Sequence, residues 1–574
     1  MTLVSDPPDV ADAPPPTWPR RLWNQPLRAH VAALALVLLA LVPVIGTSAS
    51  FSTDEGAAIV QAQSLSRGDG WLVEHPAPEV DPDGRHYPLE ISERGKRGFV
   101  PYGKHPLYPL LLAGADRLGG VTAMVLLSLA GTVAAAGLAG ALARRMDPSL
   151  ARPTVWAVGV ASPLFFDGFL VMAHTLGAAF AAAAVLAAVV ALERRSVRVA
   201  LAVAPLVAGA VLLRNEALFL APALALVAGV VARRRAVRIP AAVIGVGALV
   251  AGAVSHLAET WWTSRLIGGP GASVRAAPAA LDGGAYFTGR WEGFFRTVLS
   301  PGYVFDPQIT VLLVAMLAGI VMAVLIAGIR PEWRRPARAW AAAAAVAPVL
   351  VLMTSRTIVP GLLVAFPLTA AGLLVVRRAT VRTMAARVAL GVFGSFALCV
   401  IATQYAVGGA SEWGGRFFAL GLPLLVPVLL VALKDWNLDR FVAAGLVVCS
   451  LAMATLGVAS LRTQHRRLGQ LMTAGDSAGA IVAAGGTERP VMVATYPSVP
   501  RWGWRTFDQH RWLITTPEDL RPLLERLRGA GVTRIGLVSP FRSRDRALLG
   551  DDPIVWSSSP PRAPGWHVFV VALD

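Results

Sequence analysis

The chain has 574 residues, of which 55% are hydrophobic and 15% charged, against roughly 25% charged in soluble globular proteins; a disordered chain and an ordinary cytosolic protein are both excluded. The formal charge of +17, from 52 basic and 35 acidic residues, does not describe a nucleic-acid-binding stripe, because the basic residues stand in short clusters between apolar blocks and act as topology signals. Cys399 and Cys449 both lie in apolar runs, which leaves no disulfide framework and no cysteine-based metal site.

In chain order, residues 1–30, with Pro14, Pro15 and Pro16, read as a disordered cytoplasmic tail. VAALALVLLALVPVIG from Val31 carries no charge, and with no small-residue cleavage signal after it the run predicts a retained helix over 31–48. Further spans are expected near 119–143, 151–168, 174–192, 197–213, 216–232, 238–257, 308–329, 338–354, 360–376, 388–406, 417–433 and 441–459, thirteen in all. The expected fold class is therefore a polytopic α-helical membrane protein, with the membrane domain over 31–459.

Alternate connections are rich in arginine. Clusters begin at Arg144, Arg194, Arg233, Arg330 and Arg377, with a weaker last one at Lys434 and Arg440. The intervening short connections hold single basic residues such as Arg214, Arg356 and Arg416. This asymmetry predicts a multi-pass plasma-membrane protein with a cytoplasmic N-terminus and an extracytoplasmic C-terminal segment.

Three outer segments are too long to be turns. The first, 49–118, holds ten acidic and seven basic residues and two amphipathic stretches, which predict interfacial helices. The second, 258–307, is rich in Trp and Gly. In the third, 460–574, apolar runs shorten to strand length at PVMVAT from Pro490, RIGLVS from Arg534 and HVFVVAL from His567. TPEDLRPLLERLRGAG from Thr516 has the cap, early acids, later arginines and terminal glycine of a helix, so a small α/β domain is expected.

Two places carry chemistry. SASFSTDEGAA places Asp54 and Glu55 where the first helix meets the first outer loop. The plain alternative is a helix N-cap built on Asp54. An acid in a partly dehydrated cavity has a raised proton affinity and suits a general base. PYGKHPLYPLLLAGADRLGG from Pro101 then sets Lys104 and His105 before an apolar stretch too short to span; snorkelling of a cation at the interface is the alternative there.

The acidic pair after the first helix, followed about fifty residues later by the Lys-x-Pro-Leu-Tyr stretch, resembles the GT-C superfamily of integral-membrane glycosyltransferases. The branch it is most similar to holds the protein O-mannosyltransferases and the aminoarabinose transferases of lipid A. ASPLFFDGFLVMAHTLGAA from Ala161, LLRNEALFLAPALAL from Leu212, VLSPGYVFDP from Val298 and SEWGGRFFALGLPLL from Ser411 extend the resemblance over most of the membrane portion.

The resemblance implies a sugar on a polyprenyl phosphate as donor, transferred at the outer face to a glycan, glycolipid or protein acceptor, with membrane lipid as a further partner and no nucleic acid. It implies Asp54 as general base, Glu55 as its alternate or an acceptor-orienting group, and Lys104 with His105 and Arg416 at the donor phosphate. A bare interfacial anchor is the other reading of Arg416. His174 stands where the aminoarabinose branch has an acid; the nearest one here is Asp167, seven residues earlier. Asp167, His174, Arg214, Glu216 and Trp413 are the further candidates for substrate contact, with mutual pairing the default for Arg214 and Glu216.

No cofactor is expected. Oligosaccharyltransferases of the superfamily use a divalent metal, but Asp81-Pro82-Asp83 sits in DPDGRHYP, which reads as a turn. A lipid-linked saccharide flippase and an anchored scaffold are the rival functions. Repeated halves and midplane charges, which favour a transporter, are not evident, and a scaffold needs one anchor. Richness in Ala, Arg, Gly and Val fits an actinobacterial envelope, where mannose and arabinofuranose are the common donor sugars.

Overall fold

The computed structural model describes residues 23–88, 99–233, 235–267, 283–300, 307–329, 331–354, 358–403, 413–486 and 488–573. Residues 1–22 of the expected tail, Arg356, and parts of the motifs from Val298 and Ser411 lie outside them. The helices are α1 (Leu27–Ile45), α2 (Thr53–Arg67), α3 (Leu107–Met146), α4 (Ala151–Trp156), α5 (Pro163–Asp167), α6 (His174–Arg194), α7 (Val197–Leu201), α8 (Val203–Val211) and α9 (Leu220–Ala232). They continue with α10 (Arg238–Ile267), α11 (Gly283–Phe294), α12 (Pro307–Ile329), α13 (Arg334–Leu352), α14 (Leu362–Ala365), α15 (Pro367–Leu374), α16 (Met384–Thr403), α17 (Leu422–Asp435) and α18 (Arg440–Ala483).

Helix lies at each of the thirteen expected positions, but among the described residues nine helices are long and apolar enough to cross a membrane singly. The other four positions hold shorter, broken or arginine-rich pieces. The breaks have local causes. Phe366 precedes Pro367 and leaves the helical region at φ −137°, ψ 78°, because a proline ring disfavours α geometry in the residue before it. Ser162 precedes Pro163 in the same way, at ψ 164°.

The chain is an integral, multi-pass membrane protein. Leu36, Val246, Val311 and Leu398 are each more than 60% exposed on the helix exteriors, as expected where the surrounding solvent is hydrocarbon. At the helix ends, Arg145, Arg338, Arg382 and Lys434 pair with Glu193, Asp439, Asp435 and Asp147.

α3 begins earlier than its expected span. It joins the short apolar stretch after Lys104 to the membrane helix through a kink at Gly119 and Gly120. α18 runs to Ala483 rather than ending near 459. Leu461, Leu468, Leu471, Ala478 and Val482 continue the buried stripe of this helix, so the basic residues Arg462, Arg466 and Arg467 interrupt its hydropathy without interrupting its packing.

Beyond α18, strands β1 (Val491–Ala494), β2 (Arg511–Ile514), β3 (Arg534–Ser539), β4 (Ile554–Ser558) and β5 (His567–Ala572) form one sheet in the order β2-β1-β3-β5-β4. β1 is parallel to β2 and β3, while β5 is antiparallel to β3 and β4. α19 (Val499–Trp502) follows β1, α20 (Leu520–Gly529) precedes β3, and α21 (Arg542–Leu549) follows it. The expected helix from Thr516 is α20.

The first loop is woven into this domain. Ile514 N–H donates to the His86 carbonyl at 2.7 Å, Arg511 Nε donates to the Pro76 carbonyl at 2.7 Å, and Ala77 and Val80 enter the domain's apolar core.

Candidate active site

The site forms where α2, the loop before α3, the start of the α17 region and α19 converge. Glu55 lies in the first turn of α2: its Oε2 accepts the backbone N–H groups of Phe51 and Ser52 at 2.7 and 2.8 Å, and its Oε1 accepts that of Val171 at 2.9 Å. Both oxygens of this buried side chain are thus engaged by backbone amides, which tie the helix start to the turn before α6. The capping role considered for Asp54 belongs to its neighbour.

Asp54 points instead to the cations. Lys104 Nζ donates to its Oδ2 at 2.6 Å, and Arg416 lies 3.6 Å from the same oxygen. The two basic side chains are only partly buried, at 29% and 16% exposure. Burial by itself would raise the Asp54 proton affinity, but the charges of Lys104, Arg416 and Arg501 outweigh it and hold the carboxyl well below the usual carboxylate range. The expected raised proton affinity is therefore reversed in this arrangement.

Arg416 owes its position to the glycines before it. Gly414 and Gly415 take φ +67° and +69°, the left-handed region that side chains disfavour. A Cβ on Gly415 would also come within 2.5 Å of the Thr297 carbonyl. The doubled left-handed turn directs the chain so that Arg416 opens the short 3-10 helix ahead of α17, with its guanidinium 5.0 Å from the Phe417 ring centre.

The remaining predicted residues fall into distinct surroundings. His105 is buried, its N–H 3.0 Å and its Nδ1 2.8 Å from Glu259 Oε1 on α10. It fastens the Lys104 loop to α10. Arg214 and Glu216 make a two-pronged pair at 3.0 and 2.6 Å, the default reading.

Trp413 is 2% exposed and stacks on Phe166 at 5.2 Å. It packs in the core beside Phe166. Asp167 and His174 are fully buried and 3.7 Å apart. The turn between α5 and α6 thus returns an acid to the start of α6, where the sequence has a histidine. Asp81 accepts the backbone N–H groups of Arg85 and His86, each at 2.8 Å, and meets His75 at 3.0 Å, the geometry of a turn. Among the described residues no group of three or more His, Cys, Asp or Glu is arranged to hold a metal.

No family model matches this chain, and no curated protein sequence does. The structure is similar to that of ArnT from Cupriavidus metallidurans. In the apo state the likeness has a TM-score of 0.44 at 14% identity, covering 95% of this chain and 98% of that one. In the form bound to undecaprenyl phosphate it has a TM-score of 0.45 at 15% identity, with 95% and 97% covered. The archaeal oligosaccharyltransferase AglB from Archaeoglobus fulgidus, in complex with an inhibitory peptide and a dolichol-phosphate, gives 0.49 at 12% identity over 96% of this chain and 74% of that one.

Two contributors were not found from sequence. Glu259 lies in a segment read only as rich in Trp and Gly, and Arg501 in a tail with no recognisable motif; neither carries a local signal that would single it out.

Proposed function

We propose that this chain is an integral-membrane glycosyltransferase that moves a sugar, of the mannose or arabinofuranose type, from a polyprenyl-phosphate donor to a glycan, glycolipid or protein acceptor of the cell envelope, on the extracytoplasmic side. The observation that carries the reading is the convergence of Lys104 and Arg416 on Asp54 Oδ2, at 2.6 and 3.6 Å. A general base and phosphate-holding cations must share one small space if a glycosyl phosphate is to be cleaved by an alcohol.

In the resting arrangement the cations keep Asp54 ionised and weakly basic. A donor phosphate entering between them draws Lys104 and Arg416 toward itself, and the carboxylate recovers its proton affinity. The acceptor hydroxyl then gives its proton to Asp54 as its oxygen bonds to the anomeric carbon. The bond from that carbon to the phosphate oxygen breaks, and polyprenyl phosphate leaves with the electron pair. Negative charge passes from carboxylate to phosphate within reach of the same cations, so little reorganisation is needed. Glu55 keeps the start of α2 in place during this exchange and takes no proton.

Purified protein given radiolabelled polyprenyl-phosphate mannose or arabinofuranose and an envelope acceptor fraction is expected to transfer label. Asp54→Asn should cut the rate by about a hundredfold or more, the scale of a positioned general base, with unchanged membrane insertion. An undiminished rate in that variant, or movement of the lipid across vesicles without transfer, would overturn the reading.

A further inference from the structure

The helical span Arg416–Asp435 has Arg416 beside Asp54 at one end and Asp435 paired with Arg382 at the other. Arg387, five residues after Arg382 and in the first turn of α16, therefore belongs to the end of the membrane domain away from the Asp54 cluster. There α9 and α16 leave a groove of about 540 Å³, walled by Leu226 and Val230 on one side and by Gly391 and Ser395 on the other, with Arg233 and Arg387 also lining it. Gly391 lets α16 close on α9, since a Cβ there would lie 3.0 Å from a Val227 methyl. Leu226 and Val230, one turn apart on α9, are each more than half exposed.

An apolar face within the bilayer meets hydrocarbon in any case; the charge sets this groove apart. Neither α9 nor α16 contains an acidic residue. Arg145, Arg338, Arg382 and Lys434 at this end each pair with an acid, whereas among the described residues no carboxylate pairs with Arg233 or Arg387. Arg387 donates to the carbonyls of Val381 and Arg382 at 2.8 and 3.1 Å, which fix its guanidinium without neutralising it. From Arg387 to Ser395 the groove runs about 12 Å at about 1.5 Å per residue, most of the roughly 15 Å of hydrocarbon in one leaflet. A ligand with an apolar chain of that reach and a phosphate at its end satisfies both parts, because guanidinium groups match phosphate geometry and basic pockets between membrane helices attract anionic headgroups.

We propose that this groove binds an anionic phospholipid of the leaflet away from the Asp54 cluster, with an acyl chain between α9 and α16 and the phosphate held by Arg233 and Arg387. The site is separate from the donor site above and does not rest on the reaction proposed there.

The test titrates the full chain in detergent with phosphatidylglycerol and, separately, with phosphatidylcholine of the same acyl chains, and counts bound lipid by native mass spectrometry. Each arginine near a net anionic headgroup is worth about fivefold in affinity, so phosphatidylglycerol is expected to bind at least tenfold more tightly. The double variant Arg233→Gln, Arg387→Gln is expected to bind the two lipids alike. Equal affinities in the native chain, or an undiminished preference in the double variant, would overturn the proposal. Val230→Trp fills the groove from its exposed wall, leaves both arginines in place, and should also remove the tight binding; if it does not, no chain is seated between the helices and the proposal falls. The native chain gives a measurement that does not depend on the folding of any variant. Phosphatidylglycerol with a photoreactive acyl chain should label 226–231 and 391–395, with labelling competed by unlabelled phosphatidylglycerol and not by phosphatidylcholine. Labelling confined to other helices would contradict the assignment.

Discussion

Asp54 and Glu55 are adjacent, but successive residues on a helix are turned by about 100°, and that rotation separates their chemistry. One carboxylate meets Lys104, while the other meets the amides of Phe51, Ser52 and Val171. Glu55→Gln should therefore lower stability by about 2 kcal/mol, the scale of lost charge-assisted hydrogen bonds, with a smaller loss of turnover than Asp54→Asn. Thermal melting beside single-turnover rates distinguishes the two.

The cations around Asp54 also fix a pH response. Its carboxyl is held low, so the free chain keeps Asp54 ionised into the acid range and loses that charge only as pH falls through the lowered value. Lys104→Gln removes the nearest positive charge, raises the proton affinity of Asp54, and should move the acid limb of the kcat/KM profile to higher pH. An acid limb in the same place would separate Asp54 from the rate. Asp54, Lys104 and Arg416 were legible in sequence because each stands in a local pattern. The partnership of His105 with Glu259, and of Glu55 with Val171, was not, because the partners are distant in the chain and neither end carries a signal of the other.

At the scale of elements, hydropathy located the helices and turn chemistry located their breaks. What hydropathy missed was continuity: α18 persists through Arg462, Arg466 and Arg467 because its buried stripe continues, although the average over a window falls. The strands were unevenly legible for a related reason. β1, β3 and β5 are nearly all buried, and apolar runs betray them. β2 opens on Arg511, and β4 alternates between more and less exposed residues along Ile554–Ser558, so neither forms such a run. The glycine pair before Arg416 offers a test at this scale. Gly415→Ala should cost on the order of 1–3 kcal/mol for a side chain forced into the left-handed region, made worse by the Thr297 carbonyl 2.5 Å away. By displacing Arg416 it should also raise the KM for donor. Melting and donor titration read the two effects separately.

At the scale of the molecule, the membrane helices and the C-terminal sheet are joined by one helix of 44 residues. At 1.5 Å per residue it is about 66 Å long, against a hydrocarbon layer of about 30 Å, so much of its length stands clear of the membrane. The first loop also binds to the domain, through His86, Pro76 and the apolar pair Ala77 and Val80.

α18 has no joint, and so it sets angle as well as height. One alanine inserted beside Gly469, where a Cβ meets nothing within 4 Å, would swing everything beyond it by about 100° while raising it about 1.5 Å. Seven inserted residues, close to two full turns, would restore the bearing but leave the domain about 10 Å too high. Both proteins should lose the contacts of the first loop with the domain, melt at a lower temperature than the native chain, and fail in the transfer assay. The rod is in this sense a spacer with a phase, and its residue count is as much a specification of the molecule as any side chain it positions.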